Sequence, residues 1–317
     1  MPRPLLFLFL VFCSNAVAAL PCYSQAAAKA PAPESASVAA ERGIDLAAKG
    51  QCAEALPILR RTTGRLTDKQ VKYRAGMATA KCAMSLGQEE AAVQALLMLK
   101  REFPHDPQAL YISAHYFSEL GNGAAQELAA AAPESYQAHE LEAEAFESQG
   151  RWAEAAGEYQ KILDHDANVP GIHFRLGRVA LSRGESEANT AEAKKEFEQE
   201  LKIDPSNAAA EFSLGEIARR AGQWDEAIGH FSTAAKIDSG FAEAFLAMGM
   251  SLVSAQRFAE AVPPLQKYVK MVPTDPAGHY QLAISYDRTG RKEEAARELQ
   301  LQRETAAKAP ASGANPH

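Results

Sequence analysis

The sequence predicts an all-α fold, a solenoid of about eight helix-turn-helix repeats. Three observations predict it. Related segments recur about every 34 residues, which becomes visible when Trp224-Asp225-Glu226-Ala227 is set beside Trp152-Ala153-Glu154-Ala155. Position 15 of each unit is glycine in seven of eight units. Position 8 is small in all eight, and position 20 is alanine in seven. A period in this range is the signature of stacked supersecondary units, each too small to bury a core alone.

Composition sets the outer bounds. The chain has 317 residues, 47% hydrophobic and 23% charged, which excludes wholesale disorder. Its net charge of −7 is opposite to the basic footprint of a nucleic-acid binder. Four cysteines are too few for a disulfide-built scaffold.

The N-terminal 26 residues read as a secretory signal peptide. Arg3 precedes the apolar run LLFLFLVFC, and small residues follow. Two cuts fit the small-x-small rule, after Ala18 or after Ala26. The later cut leaves Cys52 and Cys82 alone, an even number suited to an oxidising compartment. The alternative is an uncleaved anchor, but the apolar stretch Leu5–Leu20 is only 16 residues and contains Ser14 and Asn15. Residues 27–35 read as a flexible Ala/Pro linker, and residues 310–317 as a disordered tail.

The units occupy residues 36–309 and begin at Ala36, Tyr73, Pro107, Tyr136, Pro170, Ala208, Ala242 and Pro276. Glycine at position 15 (Gly50, Gly87, Gly121, Gly150, Gly184, Gly222, Gly290) predicts the stop of each first helix, with Gln256 as the exception. Alanine at position 20 and an apolar residue four positions later share one face of the second helix. Pro104, Pro205 and Pro273 close several units. Pro57 and Pro263 fall inside second helices. The third unit is five residues short, so its second helix is expected at the Ala-rich Gly123–Ala132. The fifth carries four extra residues around Glu185–Thr190, expected as a longer turn.

The aromatic after the turn (Trp152, Trp224, Phe258), the small position 8, the alanine at position 20 and the Asp204-Pro205 ending together resemble the tetratricopeptide repeat (TPR) family, here of an exported, bacterial type. The resemblance implies a right-handed superhelix with a concave groove, and non-catalytic binding of a protein or peptide. It also makes the helices of Cys52 and Cys82 neighbours. The two cysteines are then either a disulfide, worth on the order of 3 kcal/mol, or two buried thiols.

The resemblance assigns positions 2, 5, 9, 12 and 13 of the first helices to the groove. The expected contacts are Phe174, Arg178, Phe212, Arg219, Leu246, Met250 and Tyr280, an apolar stripe rimmed by arginine. In the fourth unit Glu140, Glu144 and Glu147 form an acidic patch instead. The Lys and Asn that clamp C-terminal carboxylates in some family members are missing from positions 5 and 9.

No catalytic constellation, metal site or cofactor motif emerges, so the chain reads as a non-enzyme. His139, His173 and His279 all occupy position 4, in separate units, and are expected to pack between helices. Asp164–Asn168 mimics the start of a calcium loop, but Val169 and Arg175 stand where glycine and glutamate are needed. The expected role is an exported scaffold, periplasmic or extracellular, binding protein or peptide and no nucleic acid, with membrane contact only if the N-terminus is retained. The alternatives are an accessory subunit of a polysaccharide or cell-wall machinery that binds glycan, and a membrane-anchored scaffold.

Overall fold

The structure is a computed structural model that describes residues 35–308. The leader with its cut sites, most of the linker and the tail lie outside the described residues. Within them are fifteen α-helices and one short 3-10 turn, Thr63–Arg65. No helix among the described residues is long and apolar enough to cross a membrane.

The chain divides into two compact units, one through Ser118 and the other from Glu119. The first contains α1 (Ala36–Ala48), α2 (Cys52–Thr62), α3 (Lys69–Ser85), α4 (Glu89–Glu102) and the start of α5 (Pro107–Ala131). Ser35 and Asp68 begin α1 and α3 by accepting hydrogen bonds from Val38 N and Val71 N. Each satisfies an amide that the first helical turn leaves without a partner. Leu56, Leu59, Ala40, Ala55, Ala75 and Ala83 form one core cluster, and Met77, Leu96, Leu99 and Ala109 form a second.

The second unit continues with five helical hairpins. They are α6 (Tyr136–Ser148) with α7 (Trp152–His165), α8 (Ile172–Ser182) with α9 (Glu187–Ile203), α10 (Ala208–Arg220) with α11 (Trp224–Ile237), α12 (Ala242–Ser254) with α13 (Phe258–Met271), and α14 (Pro276–Arg288) with α15 (Lys292–Lys308). Each helix packs on its hairpin mate, and each second helix also packs on the first helix of the next repeat.

Close approach within a hairpin depends on position 8. A Cβ built on Gly177 would lie 2.5 Å from the Phe197 ring, and one on Gly249 would lie 2.5 Å from Leu265. The large residue at position 24 thus fills the space that the small residue at position 8 leaves. The turns use a left-handed residue at position 15, with φ between 63° at Gly87 and 110° at Gly184. Gln256 keeps the same conformation at φ 59° without being glycine.

Two expectations are corrected. The third unit is not a hairpin: α5 runs unbroken for 25 residues, through Gly121 and Gly123. A turn there would gain little, because position 17 is Gly123 and position 24 is Ala130, so no large side chain draws the chain back. Continuing the helix through an alanine-rich segment keeps its backbone hydrogen bonds at low cost. The extra residues of the fifth unit are for the most part not a longer turn either. Three of the four lengthen α9 to 17 residues, against 14 in α7, α11 and α13, and one lengthens the turn; Ser186 caps the added turn of helix by accepting from Asn189 N.

Candidate functional site

The first helices α8, α10, α12 and α14 carry the expected groove residues. Phe174 is half-buried, its ring 5.7 Å from that of Phe197. Phe212 sits between Phe231 at 5.3 Å and Phe241 at 4.9 Å. Leu246 and Met250 are half-buried, and Leu246 packs on the core around Tyr268. Tyr280 is the most open of the stripe at 49% exposure. Packing therefore takes up much of Phe174, Phe212 and Leu246.

The arginines are engaged as well. Arg219 donates from Nε and Nη2 to both carboxylate oxygens of Glu216, at 2.9 and 2.8 Å. This pairing holds the guanidinium pKa above its usual value. Arg178 is exposed, with Nη2 3.9 Å from Glu147. The acidic patch of α6 is spent on the next repeat: Arg175 pairs with Glu144 at 2.7 Å and Glu140 at 3.4 Å. Tyr159 donates its hydroxyl to Glu147 at 2.6 Å. Burial, and then this bond to a carboxylate, push the Tyr159 phenol well above its ordinary pKa.

Of the expected contacts, Phe212 alone lines a cleft of about 890 Å³ between α8, α9 and α10. Its floor is the face of α10 bearing Phe212, Glu216 and Arg220, and one wall is the end of α8 at Leu181. The other wall is the added turn of α9, with Glu187, Thr190 and Ala191. Lys194 lines the same wall and donates to Glu226 at 2.7 Å. That bond lowers the Glu226 pKa and raises that of Lys194. Arg220 Nη1 lies 3.6 Å from Glu185 at the edge. Apolar Leu181, Phe212 and Ile217 among charged groups offer both burial and orientation to a bound side chain. Sequence reasoning missed this cleft because the insertion was read as a turn.

A buried carboxylate caps the start of α8. Glu200 of α9 is fully buried and accepts from Gly171 N at 2.7 Å, Phe174 N at 3.2 Å and Asn207 Nδ2 at 3.2 Å. The N-cap of α8, Gly171, has no side chain to do this, so α9 caps its neighbour.

The position-4 histidines each have a partner. His139, His173 and His279 meet Glu158, Glu196 and Glu298 through Nδ1 at 2.8, 2.6 and 2.6 Å. These glutamates occupy position 23, once the four extra residues of the fifth unit are discounted. The sixth repeat swaps the two residues: Glu211 at position 4 meets His230 at position 23, at 2.6 Å. Aligning the repeats with one another was the signal that could have found these pairs. Asp164 and His165 end α7, and the turn starts at Asp166, which accepts from Asn168 N at 2.9 Å.

Cys52 and Cys82 are joined as a disulfide, with Cα atoms 4.9 Å apart, inside the range such a bond spans. It ties α2 to α3.

Comparison with known proteins places this architecture. No curated protein sequence matches the chain significantly. Among solved structures, YrrB, described as a TPR protein with an unusual peptide-binding site, superposes with a TM-score of 0.50 and 19% identity. That match covers 59% of this chain and 94% of YrrB. MamA from Desulfovibrio magneticus RS-1 gives a TM-score of 0.48 and 17% identity over 55% of this chain and 96% of its own. Another MamA crystal structure gives 0.48 and 19%, over 52% and 95%. The family model for the tetratricopeptide repeat matches residues 40–107, 119–171, 174–240 and 246–310, and the chain belongs to the tetratricopeptide repeat family.

Proposed function

We propose that this protein is an exported, non-catalytic scaffold that binds a peptide segment of a partner protein, anchored in the cleft between α8, α9 and α10. The cleft carries the proposal. Its volume of about 890 Å³ falls in the range of ligand pockets, and its wall is a helical turn that the other second helices of 14 residues lack. Family membership supports a binding role, and the peptide-binding site of YrrB is a precedent on the same fold. Export is supported by the basic, apolar and small-residue layout of the N-terminus and by the Cys52–Cys82 disulfide, a bond that persists in oxidising compartments.

The test is selection from a displayed peptide library on the chain and on Ala191→Trp. Ala191 is exposed and lines the cleft, so the indole fills the space without entering the core. Peptides enriched by the wild type are expected to lose at least tenfold in affinity for the variant, with helicity unchanged. Equal affinity would rule out the cleft as the anchor.

A further inference from the structure

We propose that the cleft between α8, α9 and α10 selects an extended peptide carrying a lysine or arginine two residues away from its apolar anchor, the cation pairing with Glu187. The proposal rests on the peptide-binding reading of this cleft and adds the chemistry of its ligand.

The charges of the cleft decide the sign. Five charged side chains line it: Glu185, Glu187, Lys194, Glu216 and Arg220. Four of them are already engaged. Lys194 donates to Glu226 at 2.7 Å, Glu216 accepts both donors of Arg219, and Arg220 lies 3.6 Å from Glu185. Glu187 is exposed, and its carboxylate has no ion pair or hydrogen bond among the described residues. With the two outside partners counted, four carboxylates stand against three cations, and Glu187 is the charge left over. A cation brought by the ligand completes the set, whereas an anion would be repelled.

The other repeats show why this carboxylate is free. Glu154, Glu260 and Glu294 stand in the first turns of α7, α13 and α15. Each pairs with the arginine three residues before it, at 3.0, 2.6 and 2.9 Å. Three residues before Glu187 stands Gly184, which has no side chain to offer. The extension of α9 therefore brings a first-turn carboxylate to the cleft without the partner its counterparts have.

The spacing follows from backbone geometry. Glu187 precedes Ala191 by four residues, so the two share one face of α9, roughly 5–6 Å apart. In an extended peptide, residues two apart point the same way and lie about 6.6 Å apart. An anchor seated among Leu181, Ala191 and Phe212 thus places the side chain two residues along beside Glu187.

The probe is a displayed library of random peptides, sorted in parallel on the wild-type, Glu187→Gln and Glu187→Lys chains. Peptides selected by the wild type are expected to share an apolar residue with lysine or arginine two positions away. Those selected by Glu187→Lys are expected to carry aspartate or glutamate there. A synthesised wild-type peptide should bind Glu187→Gln about two- to fivefold more weakly, the worth of one exposed ion pair, and Glu187→Lys about tenfold more weakly. Replacing its cation by glutamine should cause the first loss by itself, with no further loss on Glu187→Gln. Circular dichroism checks that each variant keeps its helicity. Peptides that lose affinity for Ala191→Trp but bind the wild type and both Glu187 variants alike would overturn this proposal and leave the cleft reading standing. Peptides indifferent to Ala191→Trp would overturn both.

Discussion

At the residue scale, positions 8 and 24 of the repeat act as one steric unit. The Phe197 ring occupies the space where a Cβ on Gly177 would stand. Gly177→Ala should therefore cost about 1–3 kcal/mol in urea unfolding, because the ring must shift within a packed hairpin. Gly229, inside α11, meets nothing within 4 Å, and Gly229→Ala should instead add about 0.5–1 kcal/mol. Equal effects from the two would refute the steric account. The buried phenols make a pH prediction. Burial and the carboxylates Glu147 and Asp275 raise the Tyr159 and Tyr268 pKa values above the ordinary 10.0. The folded chain then holds these protons after the unfolded chain has released them. The stability they contribute is complete below pH ~10 and falls as pH rises beyond it. Spectrophotometric titration should show two tyrosines that ionise only with alkaline unfolding. The small and large positions were legible in the sequence because steric exclusion leaves a mark at a single site. The His–Glu pairs were not, because each needs two helices to be placed before position 4 faces position 23.

At the scale of elements, the turn glycines separate by conformation. Gly150 stands at φ 70° between α6 and α7, whereas Gly121 lies inside α5. Both occupy position 15, so the sequence pattern treated them alike. What distinguishes them lies downstream. Trp152 and Tyr159 give the α7 segment a reason to fold back on α6, and the segment after Gly121 offers alanines. Gly121→Ala should raise helicity and stability by about 0.5–1 kcal/mol, while Gly150→Ala should lose about 1 kcal/mol. Far-ultraviolet dichroism with thermal melting measures both, and loss in both would restore the hairpin reading of the third unit. The α9 extension has a similar lesson. Ser186 caps the start of α9, so three of the four inserted residues join the helix and only one lengthens the loop. The candidate site was half legible for this reason. Phe212 was named from its register on α10, but the wall that makes a cleft beside it was assigned to a turn.

At the scale of the molecule, each repeat is stabilised by its neighbours, so the ends are the weakest parts of a stack. The Cys52–Cys82 bond sits at the first of these ends and joins the first two repeats. The chain produced with the export proposed for it should gain 2 Da on reduction under denaturing conditions, and reduction should lower the stability of the first unit by about 3 kcal/mol. No mass change would show free thiols and remove one support for export. The fold class and the repeat family were legible because seven of the eight degenerate units are hairpins, where no single unit is decisive. The partner was not legible, since the cleft proposed to recognise it is assembled from three helices. The central claim is that this cleft anchors a peptide. Hydrogen–deuterium exchange of the full chain, with and without a library-selected peptide, tests it most directly. Slowed exchange confined to the first turns of α9 and the Phe212–Arg220 face of α10 is the expected result. Protection elsewhere, with those segments unchanged, would contradict it.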